Sequence, residues 1–321
     1  MFRTSTKQPP TGHARREFLI NPAQYVVKGV ARYGRFFRIP FFFRSIYITT
    51  DLEAIRHVLQ VNHKNYLKSP AYRQLRLALG QGLLTSEGDF WRRQRRLAQP
   101  VFYKKALVQL YETMLQEASA FITQWQKVIE TEARQDISQR MMEVTANIVM
   151  KTLFSSSTNT DQATLYRLMN EAQDYVIHRT LKPHLIPLSY LNGRHRAFLK
   201  SRALFDRLVY GMISDRRAQT ERPYDLLSLL IEATDTDSGT QMDDLQLRDE
   251  LITLFAAGHE TSANALAWTL WLLAEHPEVQ EKAAEEACRL LETGMPDLED
   301  LSSLTYIMQV IQEGMRLYPP A

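Results

Sequence analysis

The stretch Leu251–Ala274, LITLFAAGHETSANALAWTLWLLA, decides how the rest of the chain is read. Its length matches a membrane span of about 20 residues. His259, Glu260 and Asn264 sit in its middle with several hydroxyls, however, and such groups are costly in lipid. A helix buried in the centre of a helical domain is the better reading. Asp243-Asp244 open this helix, which is expected to run to about Glu275, roughly 45 Å at 1.5 Å per residue. Its apolar face is expected to follow Leu251, Leu254, Gly258, Thr261 or Ser262, and Ala265.

Ala256-Ala257-Gly258-His259-Glu260-Thr261-Ser262 lacks bulk where a core helix normally carries it. Glycine in a helix interior costs about 1 kcal/mol against alanine, so a close neighbour is implied. That neighbour is either another helix crossing at short range or a large flat partner. Thr261 lies four residues after Ala257, so its hydroxyl can bond the Ala257 carbonyl, bend the helix and open a groove. Glu260 stands beside it, able to pass protons from solvent. His259-Glu260 begins an HExxH pattern, but the second histidine position holds Ala263, which excludes that zinc site.

Working outward, the chain is mainly helical. Twelve glycines and thirteen prolines make 25 of 321 residues, fewer than the average of about 12%. Leu107, Leu110, Met114, Ala118, Phe121, Trp125 and Ile129 recur at helical steps, and Ile137 to Phe154 continues the pattern. Asp161 is expected to cap the next helix, His276-Pro277 to start another, and Pro319-Pro320 to stop the last at Leu317. The one β-like stretch is RFFRIPFFFRSIYITT (35–50), a hairpin with its tip near Pro40–Arg44. TDTDSGT (234–240) is a turn-rich loop. It is not a calcium loop, since the sixth position from Asp235 is not glycine and the twelfth is Gln246.

Composition removes several function classes. Lys plus Arg number 39 and Asp plus Glu 36, a net charge of +3, too small for a nucleic-acid footprint. Cys288 is alone, which rules out an internal disulfide or a cysteine cluster and points to a reduced, cytoplasmic setting. The opening residues have no signal-peptide core. One domain over 1–321 with a polar lead (1–20) is expected.

Two further motifs carry chemistry. In GLLTSEGDFWRRQRRL (82–97), Trp91 and Arg95 share a helical face, while Arg92 and Arg96 form a parallel pair. An indole N–H beside a guanidinium suits two carboxylates or phosphates held in one orientation, and a solvated basic face is the alternative. Glu313-Gly314-Met315-Arg316 has the ExxR spacing of an ordinary ion pair, found also at Glu53–Arg56 and Glu286–Arg289. The continuation Leu317-Tyr318-Pro319-Pro320 sets this one apart.

Trp91-xxx-Arg95, then Ala257-Gly258-His259-Glu260-Thr261-Ser262, then Glu313-xx-Arg316-Leu-Tyr-Pro-Pro resembles, in order and spacing, a cytochrome P450 of the soluble bacterial type. The resemblance runs from about residue 22 to the end. It implies a mainly α, P450-like domain with a small N-terminal hairpin, haem as cofactor, O₂ and an apolar small molecule as substrates, and a ferredoxin or flavoprotein reductase as redox partner. Trp91 and Arg95 would bond the haem propionates, and Ala257 and Gly258 would lie over the distal face of the haem. Glu260 and Thr261 would be the catalytic acid–alcohol pair, with Glu313 and Arg316 a buried structural ion pair. Phe255, Leu254, the region around 71–84 and the helices near 165–215 would shape the substrate pocket.

The family's cysteine ligand follows ExxR in a glycine-rich loop, whereas this sequence reaches only five residues past Arg316. Cys288 lies upstream in a helical context, so no metal ligand is assigned within the chain. The expectation is therefore an N-terminal portion of a longer monooxygenase, C-terminally truncated and inactive alone. The other possibility is a helical remnant that does not hold haem.

Overall fold

The computed structural model describes residues 15–41, 44–70, 72–131, 134–155, 159–182, 185–292 and 294–320. The Pro9-Pro10 lead, Phe42, Phe43, Ala71 and the 156–158 loop lie outside the described residues. The chain divides into two compact units, Met1–Lys68 and Ser69–Ala321.

In the first unit, α1 (Arg15–Ile20) and α2 (Pro22–Tyr33) precede a hairpin of β1 (Phe36–Phe41) and β2 (Arg44–Thr49). The antiparallel register pairs Phe36 with Thr49 and Phe41 with Arg44, which confirms the expected hairpin. Strand alternation buries Phe37 and Ile39 together with Tyr25. Gly29 in α2 lets Phe37 approach, because a Cβ there would lie 2.5 Å from the ring. Asp51 caps α3 (Leu52–Arg56) by accepting from the Ala54 N–H at 2.8 Å.

The second unit is helical. It runs α4 (Tyr72–Leu79), α5 (Gly88–Ala98), α6 (Lys104–Thr131), α7 (Ile137–Phe154), α8 (Asn159–Leu181) and α9 (Ile186–Leu191). It continues with α10 (Arg194–Ala218), α11 (Leu226–Glu232), α12 (Asp244–Glu275), α13 (Pro277–Leu291) and α14 (Thr305–Leu317). α8 starts two residues before the expected Asp161 cap. α12 has 32 residues and begins in a capping box, with Asp243 accepting from the Gln246 N–H and Gln246 accepting from the Asp243 N–H.

The face that α12 buries is not the one the sequence suggests. Leu251, Phe255, His259, Ala263 and Ala267 form the buried row, at steps of four. Leu251 and Phe255 join Met150, Leu153 and Val209 in the main core, and Ala263 and Ala267 pack with Met141 and Val144 of α7. The polar His259 in the middle of that row hides it from an apolar count. Leu254, Thr261 and Ala265 are half-buried, and Ser262 is exposed.

Two close approaches fix the surroundings. A Cβ at Gly258 would stand 3.3 Å from Val149 of α7, so this glycine serves the helix crossing. A Cβ at Gly314 would stand 2.6 Å from Thr269 Oγ1, which lets α14 lie against α12. Glu286, from one of the two other ExxR repeats, accepts from the Tyr306 and Ile307 N–H groups at 3.0 and 2.8 Å and so caps α14 from α13.

This packing predicts opposite signs for one substitution. Gly314→Ala should lower stability by about 1–3 kcal/mol, because the new methyl overpacks the α12–α14 contact. Gly211→Ala in α10, where a Cβ meets nothing within 4 Å, should raise it by about 0.5–1 kcal/mol. Urea melts of the two variants check both values.

Candidate functional site

α5 carries the tryptophan and the arginine cluster, and its arginines divide their work. Arg92 pairs with Asp89 at 3.2 Å. Arg96 donates from Nε and Nη2 to the two carboxylate oxygens of Asp235 at 2.9 and 3.2 Å, and from Nη1 to Asp237 at 2.8 Å. Arg93 reaches the Gln241 carbonyl at 3.5 Å. The Thr234–Gln241 loop that leads into α12 thus anchors α5. Arg95 is the exception: it is exposed, has no carboxylate partner among the described residues, and lies with Cζ 5.6 Å from the centre of the Trp91 ring. The expected parallel pair of Arg92 and Arg96 is committed to internal acids, whereas neither Arg93 nor Arg95 has a carboxylate partner among the described residues, and Arg95 is the exposed one.

The loop before α5 is locked to α12 by buried carboxylates. Asp249 accepts from the Gln81 N–H at 2.6 Å and Glu250 from the Leu83 N–H at 3.0 Å. Gly80, at φ +64°, has no room for a Cβ, which would lie 2.1 Å from the Asp249 carboxylate. Arg248, itself buried, bonds Asp206 Oδ1 from Nε at 2.8 Å and Asp249 Oδ1 from Nη1 at 2.7 Å. Thr85 Oγ1 donates to the Gly80 carbonyl at 2.6 Å, and Arg76 holds the Thr85 carbonyl at 2.7 Å.

On α12, Thr261 Oγ1 donates to the Ala257 carbonyl at 2.5 Å, the bond its spacing suggests. Ala257 is exposed and Thr261 half-buried, on the side of the helix turned away from the buried row. Further along that side, Trp268 stacks on Tyr318 at 4.1 Å, with Trp271 edge-on at 6.0 Å, and this fixes the turn after ExxR. Glu260 accepts a hydrogen bond from the amide of Gln173 in α8. His259 is buried between Phe255, stacked at 5.5 Å, and Tyr166, edge-on at 5.2 Å. Burial pushes the His259 pKa down, against the Glu260 charge and a hydrogen bond with the Met142 backbone.

Three expected site groups are placed as follows. Gly258 packs against α7 rather than on the free side with Ala257. Phe255 is 4% exposed and belongs to the core, since a two-residue step sets it far around the helix from Ala257. Leu254 lies nearer the free side. Glu313 and Arg316 form the bidentate pair, both bonds at 2.7 Å, and are 55% and 67% exposed. Among the described residues no group of acids, histidines and cysteines could hold a metal ion, and Cys288 is exposed on α13. No described helix is long and apolar enough to cross a membrane. Gln173, Asp235 and the Asp249–Glu250 pair escaped the sequence reading. Two acids followed directly by an apolar run were the only signal for the last of these.

Fold and motifs together define a class of mainly helical proteins built around one long central helix. The chain belongs to the cytochrome P450 family, whose model matches residues 17–321. It is 32% identical over 278 residues to cyclooctat-9-en-7-ol 5-monooxygenase of Streptomyces melanosporofaciens, covering 86% of this chain and 59% of the relative. It is 30% identical over 320 residues to pentalenene oxygenase of Streptomyces avermitilis, covering 98% and 68%. It is 31% identical over 288 residues to a cytokinin hydroxylase of Arabidopsis thaliana, covering 85% and 55%. The chain thus spans less than two thirds of the length of several relatives, including the first and last of these.

The α5 anchor has a pH dependence. The Arg96 hydrogen bonds, then those from Ser238, hold the Asp235 carboxyl down at about 2, from an ordinary 3.8. A depressed carboxylate stabilises the fold above its unfolded pKa, and the benefit disappears as pH falls through the folded value. Asp235→Asn should therefore melt below the parent at pH 7, and the gap should narrow between pH 4 and 2. Thermal melts across that range check it, and a gap independent of pH would count against the anchor.

Proposed function

We propose that the whole protein is a haem-dependent monooxygenase, of which these 321 residues form the N-terminal part of one catalytic domain. It inserts one oxygen atom from O₂ into an apolar organic substrate in the cytoplasm, with electrons from a ferredoxin or flavoprotein reductase. The observation that carries this reading is the Thr261 hydroxyl bonded to the Ala257 carbonyl on the free side of α12, with Glu260 next to it.

The residues present fit haem. Arg95 is a cation without an internal carboxylate, with an indole beside it, and this pair would hold the propionates. Ala257 keeps the free side of α12 low where a flat ring would lie, while Gly258 contributes by letting α7 close behind it. Haem, when bound, supplies the oxygen activation that side chains lack. The chain's own residues manage protons. Thr261 commits its proton to Ala257, so its oxygen lone pairs remain to accept a hydrogen bond from water or substrate. Glu260, oriented by Gln173, is the proton donor and acceptor next to it. Leu254 borders the substrate space, and Phe255 supports α12 from the core. Glu313 and Arg316 are a structural pair that further residues of the whole protein would cover. Those residues would also bring the thiolate ligand, since Cys288 sits on a solvent-facing helix.

In the whole protein, Thr261→Ala should lower product formed per NAD(P)H consumed by roughly tenfold, the low end of general acid–base contributions, while reductant consumption continues. An unchanged ratio would refute the proton role. In the chain of 321 residues, Arg95→Ala should weaken haem uptake in a titration by about tenfold or more, as loss of a charge-assisted bond requires. Its reduced carbon monoxide spectrum should show no thiolate-type red shift. Such a shift would mean Cys288 binds iron, contrary to this assignment.

A further inference from the structure

Among the described residues, three arginines are buried: Arg179, Arg216 and Arg248. Two have the carboxylates that burial of a charge demands. Arg216 bonds Asp225 at 2.5 Å, and Arg248 bonds Asp206 and Asp249. Arg179 is only 9% exposed, yet no described carboxylate lies within ion-pair distance of it.

Its partners are all neutral. Nε donates to Gln74 Oε1 of α4 at 3.0 Å, and Nη1 donates to the Tyr175 hydroxyl at 2.9 Å. The guanidinium lies 5.6 Å from the Tyr175 ring and 5.9 Å from that of Tyr190 in α9. The Tyr175 hydroxyl, accepting from Arg179, also lies 2.7 Å from His195 Nδ1. Burial works against the cation, but hydrogen bonds to Tyr175 and Tyr190 keep its pKa raised, so Arg179 stays charged.

One guanidinium with no negative partner is matched by a single negative charge of fork geometry, a carboxylate, better than by a dianion that needs further cations. Gln74 is half-buried and Tyr190 is exposed, so both can give way at the surface. Rotation of the Gln74 amide would turn its NH₂ toward the incoming oxygens. Tyr175 belongs to a buried apolar cluster with Ala172, Val176, Ala78 and Phe198, packed with Leu75, so apolar side chains adjoin the guanidinium.

We propose that Arg179, with Gln74 and Tyr190, is a binding subsite for the carboxylate of an apolar monocarboxylic acid. That this acid is the compound oxidised rests on the monooxygenase reading; the subsite itself does not.

The test is calorimetric titration of the chain of 321 residues with decanoate and with decan-1-ol. Decanoate should bind about tenfold or more tightly than the alcohol, Arg179→Gln should abolish the difference, and Arg179→Lys should keep part of it. Gln74→Glu places the missing carboxylate inside, so it should raise the melting temperature and exclude decanoate, and it decides the matter if Arg179→Gln does not fold. Equal affinity for acid and alcohol, no binding of either, a preference that survives Arg179→Gln, or a Gln74→Glu protein that melts no higher would each overturn the subsite. Haem uptake by the same samples reads the monooxygenase assignment separately, because Arg95 lies outside this cluster.

Discussion

Arg248, Asp249 and Glu250 put three charges side by side at the start of the central helix, and much of the second unit depends on how they are satisfied. Charges are kept in an interior only with complete hydrogen bonding, because an uncompensated one costs several kcal/mol. Arg248 is answered by Asp206 and Asp249, while Asp249 and Glu250 are answered by backbone N–H groups of the Gly80–Leu83 loop. That loop leads directly into α5. The same charges that hold α10 to α12 therefore also fix where the Trp91–Arg95 helix begins. Arg96 secures its far end through Asp235.

With α5 and α12 held by other residues, the groups with chemical potential are left uncommitted. Arg95 has neighbours that carry the structural ion pairs, and Thr261 sits opposite the row that does the packing. Small residues in α12 divide in the same way. Gly258, Ala263 and Ala267 let α7 approach, and Ala257 leaves space on the free side. The close crossing thus accounts for Gly258, while Ala257 lies on the other side of the same segment.

The helix from Asp243 to Glu275, the hairpin, the Ile137–Phe154 helix and the Thr261–Ala257 bond were legible because each is a local matter of capping, spacing or alternation. The buried face of α12 was not, since His259 occupies its middle and an imidazole between Phe255 and Tyr166 counts as polar in a sequence. The exposure of Glu313 and Arg316 depends on what lies over them, which their spacing cannot convey. Gln173, Asp235 and Arg179 act across distant segments, where nothing in a single sequence marks the partner.

The clasp between Asp249 and the Gln81 amide joins residues 168 apart, and that between Glu250 and Leu83 joins residues 167 apart. Contacts of such separation carry a large loop-closure entropy and form late. During synthesis the Gly80–Gly88 loop leaves the ribosome long before the carboxylates that will secure it. α5 must wait, with its cluster of arginines exposed, until the centre of the domain has been made. The hydrogen bonds that secure the start of α5 can therefore close only once α12 has been made.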